Sequence, residues 1–241
     1  MLAPLACAAR ASVATPGPAA TGTASASVAA GGAGPAGPRV AIRAVAFDLF
    51  TIFDPRSIAP VIEQAAPGRG ERLAGAWRTR QFEYAWLRAA AGQYADFRTC
   101  TADALVVAAR EQRVELTAAV RDRLVDAYSA LAPWPDSAGA LRAMRAAGLR
   151  LAPLANYTPA MMAALLDHAG LADLFEQQLS TDAVRAFKPE PRAYQLGVDR
   201  LGLAREQIAF AAFGGWDAAG ATWFGYPRSG STGSGSSSSS W

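Results

Sequence analysis

The chain has 241 residues, 51% of them hydrophobic, which is enough for one full domain with a small insertion. The formal charge of +3 would suit a nucleic-acid partner, but the excess lies at the two ends of the chain. Of the 23 basic residues, Arg10, Arg39 and Arg228 lie outside 40–227, and the remaining 20 match the 20 acidic residues of that segment. The balanced charge of this segment does not support a basic nucleic-acid surface, so we predict no nucleic-acid partner.

Residues 1–38 are predicted to be a disordered, low-complexity leader. Ala, Pro, Gly, Ser and Thr fill 31 of these 38 positions, so burial would return less than ordering costs. The leader is a poor secretory signal, and a misplaced start codon fits it equally well. The sequence contains no run of 18 apolar residues, so no membrane span is predicted. Two cysteines, Cys7 and Cys100, predict no disulfide framework. A reducing, cytoplasmic location is therefore the default prediction.

Between 40 and 227, short apolar strands alternate with helices. Apolar runs predict buried strands, and apolar residues at helical spacing, with Pro and Gly at the ends, predict the helices. The predicted strands are 40–47, 149–155, 178–181 and 207–213. The predicted helices are 71–91, 101–112, 117–131, 136–148, 158–170, 189–201 and 217–224.

This order of elements predicts an α/β fold with a parallel sheet. Residues 39–54 and 134–227 would form the core, and 55–133 would be a helical insertion after the first strand. Residues 228–241 form a Ser/Gly tail that resembles a flexible linker in composition. Ligands of such folds bind beyond the carboxyl ends of the strands, which directs attention to the polar residues there.

The polar residues after the strands are Asp48, Asn156, Lys188 and Asp217. Asp48 is either a turn carboxylate or a nucleophile that forms a covalent ester. Lys188 is the only lysine, which reflects either a need for a compact ammonium or a coding bias toward arginine. His168, the only histidine, lies near the end of a predicted helix and is expected at the surface, so no Ser-His-Asp system is predicted.

Several motifs together resemble one family. Residues 46–54 (AFDLFTIFD) resemble the first motif of the haloacid dehalogenase superfamily, and 77–88 (WRTRQFEYAWLR) resemble the inserted cap of its L-2-haloacid dehalogenase branch. Leu154-Ala155-Asn156, Lys188-Pro189 and Trp216-Asp217 continue the resemblance in order over about residues 40–227. The resemblance implies a Rossmann-like parallel-sheet core of the haloacid dehalogenase type, with 55–133 as its helical cap.

The resemblance also implies a reaction and the residues that perform it. Family members hydrolyse short (S)-2-haloalkanoic acids to (R)-2-hydroxy acids without a cofactor or metal, through an aspartyl ester. Asp48 would be the nucleophile, Arg78 would receive the halide, Lys188 would keep the nucleophile ionised, and Asp217 would position or activate water. The implied substrate-binding residues are Thr51, Asn156, Tyr194, Phe50, Phe82, Phe97 and Trp216. Because Phe50 occupies the position of a second carboxylate, a metal-dependent phosphatase is not favoured.

Three departures from the family pattern predict weakened activity. The glycine expected between Phe50 and Thr51 is missing, although that turn favours glycine. Ala155 replaces a serine that would bind the substrate carboxylate, at a cost of about 1–3 kcal/mol. Around 212–215, the side chains that would orient Lys188 and the hydrolytic water are absent, which would loosen the geometry of the site.

The tail after Pro227 departs from the family entirely. Residues 228–236 (RSGSTGSGS) can be encoded by CGT TCT GGG TCA ACC GGC TCG GGC TCG. Read two bases later, that string encodes Phe-Trp-Val-Asn-Arg-Leu-Gly-Leu, which resembles the family continuation. We therefore expect a frameshift near codon 228, and the DNA sequence across codons 225–241 tests it.

The main hypothesis is an (S)-2-haloacid dehalogenase of impaired activity that binds a small halocarboxylate. The alternatives are a catalytically dead or truncated relative and another hydrolase of the superfamily. Family resemblance also suggests a homodimer, and no membrane partner is predicted.

Overall fold

The structure, a computed structural model, describes residues 40–227. The predicted leader and Ser/Gly tail lie outside these residues. Four parallel strands form one sheet in the order β3-β2-β1-β4, which confirms the predicted α/β fold class. The strands are β1 (Ala44–Phe47), β2 (Arg150–Ala155), β3 (Leu179–Ser180) and β4 (Ile208–Ala211).

Eight α-helices accompany the sheet in the described residues, and four of them follow one another between β1 and β2. We call residues 55–133, which contain these four, the helical segment. Its helices are α1 (Ala59–Ala65), α2 (Gly70–Ala90), α3 (Phe97–Glu111) and α4 (Ala118–Ala127). The others are α5 (Ser137–Ala146), α6 (Pro159–His168), α7 (Pro191–Leu201) and α8 (Gly215–Phe224). None of them is both long and apolar enough to cross a membrane.

Local sequence explains most helix boundaries. Thr158 caps α6 as predicted, since its side chain accepts a hydrogen bond from the Met161 amide. Helix α3 begins a turn earlier than predicted because the side chain of Asp96 accepts from the Thr99 amide. Asp136 occupies the cap position of α5 but forms no capping hydrogen bond, so the predicted cap there is wrong.

The sheet buries apolar side chains on both faces. Leu151 of β2 belongs to a cluster that extends into the helical segment. Ala152 and Leu154 belong to a second cluster, which contains residues of α7 and α8. Burial on both faces explains why the strands are continuous apolar runs, since parallel sheets are covered on each side.

The two chain crossings between the sheet and the helical segment lie against each other. The Asp54 amide donates to the Ala132 carbonyl and the Trp134 amide to the Ile52 carbonyl, both at 2.9 Å. The Ser137 hydroxyl also donates to the Ile52 carbonyl at 2.7 Å. These hydrogen bonds fix where the helical segment leaves and rejoins the sheet, close to the carboxyl end of β1.

Candidate active site

Three charged side chains meet at the carboxyl edge of the sheet. Asp48 directly follows β1, Asp217 lies in the first turn of α8 just after β4, and Lys188 lies in the loop between β3 and α7. The Lys188 ammonium contacts an Asp48 carboxylate oxygen at 2.6 Å and an Asp217 oxygen at 2.8 Å. Asp217 and Lys188 are fully buried, whereas Asp48 retains 9% of its accessible surface. The structure thus brings together three of the four predicted catalytic residues.

Burial and pairing oppose each other in this cluster. Burial alone would lower the pKa of Lys188, but the charges of Asp217 and Asp48 outweigh it and raise that pKa. Burial raises the pKa of Asp217 and the Asp48 charge adds to this, while the Lys188 ammonium lowers it, and the balance is a raised pKa. Lys188 therefore stays charged between the two carboxylates. Asp217 is a more basic carboxylate than an exposed aspartate would be.

Tyr194 holds the second oxygen of Asp217. Its hydroxyl donates to that oxygen at 2.7 Å, and the side chain is completely buried. The close packing of the Tyr194 hydroxyl against α8 requires Gly220, because a Cβ there would lie 2.5 Å from the hydroxyl oxygen. The Tyr226 hydroxyl in turn donates to the Tyr194 carbonyl at 2.7 Å. Tyr194, predicted as a substrate contact, thus contacts Asp217 directly, and its role toward substrate stays a prediction.

The turn after Asp48 closes without the expected glycine. Residues Leu49–Thr51 form a 3-10 turn that Asp48 caps, with the Phe50 amide donating to one carboxylate oxygen at 2.8 Å. The Thr51 hydroxyl donates to the Asp48 carbonyl at 2.6 Å, not to its carboxylate. The indole of Trp134 donates to the Phe50 carbonyl at 3.0 Å. The only non-glycine residues with positive φ among 40–227 lie elsewhere, so this turn needs no left-handed residue.

Asn156, another predicted substrate contact, braces the lysine loop. Its side-chain oxygen accepts from the Lys188 amide at 2.9 Å and from the Thr181 hydroxyl at 3.3 Å. Asn156 follows β2 and is 6% exposed. It therefore links the end of β2 to the backbone of Lys188.

Arg78, the fourth predicted catalytic residue, stands apart. It lies on α2 and is partly buried, and its side chain has no hydrogen bond or ion pair with any residue of 40–227. It lines a cavity of about 720 Å³ together with Arg56, Glu63 and Glu71. The structure does not bring Arg78 into contact with the buried charges, and it leaves a cation facing open space.

The predicted aromatic residues form two groups around the charges. Phe82 of α2 packs 5.3 Å from Trp216, whose ring lies 6.0 Å from the Lys188 ammonium. Phe50 and Phe97 instead both pack against Tyr157, at 6.1 and 5.3 Å between ring centroids. Sequence analysis did not single out Tyr157, although its position directly after Asn156 at a strand end is a usable signal.

Trp86 is a second residue that sequence analysis missed. Its indole donates from α2 to the Lys188 carbonyl at 3.1 Å, and its ring packs 5.4 Å from Trp216. Helical periodicity alone cannot separate such a tryptophan from an ordinary core residue. His168, in contrast, is exposed at the end of α6 as predicted.

The buried charges also limit what else could bind here. Among residues 40–227 there is no group of three His, Cys, Asp or Glu side chains arranged to hold a metal ion. Asp48 and Asp217 share the ammonium of Lys188, which occupies the position between the two carboxylates. The arrangement places two carboxylates and one fixed cation within a single buried cluster.

Comparison with known proteins identifies the family. Residues 42–225 match the family model of haloacid dehalogenase-like hydrolases. The chain is 42% identical over 187 residues to an (S)-2-haloacid dehalogenase of Pseudomonas sp. (strain YL), covering 77% of this chain and 81% of that protein. It is 39% identical over 186 residues to haloacetate dehalogenase H-2 of Moraxella sp. (strain B), covering 77% and 83%.

A solved structure agrees with the sequence relatives. The L-2-haloacid dehalogenase of Xanthobacter autotrophicus with chloropropionic acid covalently bound superposes with a TM-score of 0.74 at 40% identity. The superposition covers 77% of this chain and 75% of that one. The chain therefore belongs to the haloacid dehalogenase-like hydrolase family, in its L-2-haloacid dehalogenase branch.

Proposed function

We propose that this protein hydrolyses short (S)-2-haloalkanoic acids to (R)-2-hydroxy acids through an ester on Asp48. The observation that carries the proposal is the buried Asp48–Lys188–Asp217 cluster at the carboxyl edge of the sheet. The relatives named (S)-2-haloacid dehalogenase and the solved structure with covalently bound chloropropionic acid support the same reaction.

In the first step a carboxylate oxygen of Asp48 attacks the Cα of the substrate. The C–O bond forms as the carbon–halogen bond breaks, the halide leaves with the bonding pair, and Cα inverts. The Lys188 ammonium pairs with the Asp48 carboxylate, and burial removes the water that would weaken the nucleophile. Arg78, whose side chain has no hydrogen bond or ion pair among residues 40–227, receives the halide in this proposal.

In the second step Asp217 takes a proton from water, and the hydroxide attacks the ester carbonyl carbon of Asp48. The bond between that carbon and the ester oxygen, which came from Asp48 and is now bonded to the substrate Cα, breaks. The proton passes to the leaving alkoxide, and the water oxygen restores the Asp48 carboxylate. The Phe50 amide and the Lys188 ammonium already contact the two Asp48 oxygens, so they are placed to stabilise the negative charge of this intermediate. The raised pKa of Asp217 suits a general base.

The helical segment is proposed to act as a cap, with 39–54 and 134–227 as the core. The Trp86 indole of its α2 helix donates to the Lys188 carbonyl, and Phe97 of α3 stacks on Tyr157. These contacts support a role in excluding water from the reaction.

We propose that turnover is weak. Ala155 and Gly214 carry no hydroxyl or amide, so substrate carboxylate and water have fewer donors than in the family pattern. The alternative, a non-catalytic relative, shares the family and the fold. The buried charge cluster favours the enzyme, because an unused cluster of this kind carries a desolvation cost without return.

The deciding experiment measures halide release from (S)-2-chloropropionate and chloroacetate by the purified protein, with Asp48→Asn as control. We expect slow release by the wild type and none above background by the variant. A single turnover in ¹⁸O-water should place the label in Asp48, as detected by peptide mass spectrometry. Equal release by wild type and Asp48→Asn overturns the proposal.

The homodimer and the cytoplasmic location remain predictions. Light scattering of the purified protein would give the mass of the assembly. Either outcome leaves the proposed reaction intact, since all proposed catalytic residues come from one chain.

A further inference from the structure

The ring of Tyr157 is wedged between the sheet edge and the helical segment beside the Asp48 loop. It stacks on Phe97 with an interplanar angle of 27° and centroids 5.3 Å apart. It meets Phe50 edge-on, at 6.1 Å and 82°. Phe50 is also the residue whose amide contacts the Asp48 carboxylate, so the ring cluster includes a residue of the turn after Asp48.

Tyr157 is held in this place from several directions. Its side chain is buried, with 2% of the residue exposed, and its hydroxyl donates to the Tyr128 carbonyl at 3.3 Å. The Ser180 hydroxyl donates to the Tyr157 carbonyl at 2.6 Å, which fixes the backbone. A close-packed ring of this kind does not move aside for a larger substrate without loss of contacts.

Phe213 packs against Phe50 and is partly exposed to solvent. Its ring lies 5.8 Å from Phe50 in an edge-on arrangement, and it is 44% exposed. It follows β4 and precedes the turn that leads to Asp217. Phe50 is therefore flanked by a buried ring and a partly exposed ring.

We propose that Tyr157 and Phe213 are specificity-determining residues that favour haloacetates over longer 2-haloacids. The inference rests on the proposed function and narrows its substrate class. Besides the halogen and the carboxylate, the carbon of a haloacetate that Asp48 attacks carries only hydrogens. A 2-halopropionate adds a methyl group that must fit among these rings. One methyl or methylene in an apolar pocket changes kcat/KM by roughly 10- to 200-fold.

The test compares kcat/KM for chloroacetate, (S)-2-chloropropionate and (S)-2-chlorobutyrate. The wild type should prefer chloroacetate over chloropropionate by at least about tenfold. Phe213→Ala and Tyr157→Ala should reduce that ratio, while the matched Tyr157→Phe variant keeps the ring and should keep the ratio. If Tyr157→Ala does not fold, Phe213→Ala decides, since its side chain is partly exposed. Equal kcat/KM for the first two substrates in the wild type, or an unchanged ratio in the alanine variants that fold, overturns the inference.

A failure of the proposed function is recognised separately. If no substrate yields more halide with the wild type than with Asp48→Asn, the reaction is wrong, and the pocket is measured by binding alone. NMR titration with acetate, propionate and butyrate should then give the lowest Kd for acetate in the wild type, and similar Kd values in Phe213→Ala. Equal Kd values in the wild type overturn the size limit.

Discussion

The sheet edge and the helical segment hold their charged residues in opposite ways. At the sheet edge, Asp48, Lys188 and Asp217 are buried, and each has at least two polar contacts. On the helical segment, Arg78 is partly buried and has no polar partner among residues 40–227. One region is organised before substrate arrives, and the other keeps a cation free.

The difference follows from where the two steps of the proposed reaction place charge. The nucleophile and base must be ionised and oriented in advance, so their desolvation is offset by mutual pairing. A halide exists only after the carbon–halogen bond breaks, and a cation already bound to a carboxylate would be a poor acceptor for it. The comparison predicts that changes at the sheet edge cost stability and activity together, whereas Arg78 affects activity alone.

The largest effect is expected from Lys188→Met. Loss of the ammonium leaves Asp48 and Asp217 close together, with Asp217 completely buried and without its cation. The free energy of unfolding should fall by about 3–5 kcal/mol, with halide release at background. Urea unfolding and halide assays measure the two quantities.

A double variant separates the two losses. Lys188→Met with Asp217→Asn removes one carboxylate charge, so part of the lost stability should return while activity stays absent. If the double variant is no more stable than Lys188→Met, uncompensated charge is not the cause of the instability.

Arg78→Gln should lower activity with little loss of stability. We expect kcat/KM to fall by roughly 10²- to 10³-fold, as when one stabilising donor is removed from an active site. The free energy of unfolding should change by no more than about 0.5 kcal/mol, because no polar contact within 40–227 is lost.

Arg80→Gln is the matched control on the same helix. Arg80 already pairs with Glu83 and Glu111 on the surface, so its loss should leave kcat/KM unchanged and cost little stability. Equal activity of the Arg78 and Arg80 variants would remove Arg78 from the mechanism.

The smallest effect on activity is expected from Tyr194→Phe, which keeps the ring and removes the hydroxyl from Asp217. A hydrogen bond to a buried carboxylate contributes about 1.5–3 kcal/mol, so stability at neutral pH should fall by that amount. The hydroxyl lowers the pKa of Asp217, so its loss raises that pKa further. A base must be ionised to act, and activity is lost as pH falls through its pKa, so the acidic limb of the pH–rate profile should move to higher pH.

Tyr226→Phe serves as the control for that shift. Its hydroxyl donates to the Tyr194 carbonyl rather than to a titrating group. The variant should lose stability but keep the acidic limb in place. A limb that moves equally in both variants would indicate a general loosening instead of a direct effect on Asp217.

Much of this protein could be predicted from the sequence. The parallel α/β fold follows from apolar runs alternating with helices, and Asp48, Asn156, Lys188 and Asp217 are placed by their positions after strands. The parallel direction of the strands then brings Asp48 and Asp217 to the same edge, because β1 and β4 are adjacent. The limits of α5 and α6 depend on nearby residues, and the sequence anticipates them to within a few positions.

Other features depend on contacts between residues far apart in the chain, which no local pattern encodes. The ammonium of Lys188 lies between two carboxylates only because the loop after β3 folds back over the ends of β1 and β4. The contact of Trp86 with the Lys188 carbonyl and that of Tyr157 with Phe97 form only because α2 and α3 pack against that edge. The sequence by itself determined which charges stand at the strand ends; the tertiary structure decided which are buried and paired, because burial and pairing are properties of the packed chain.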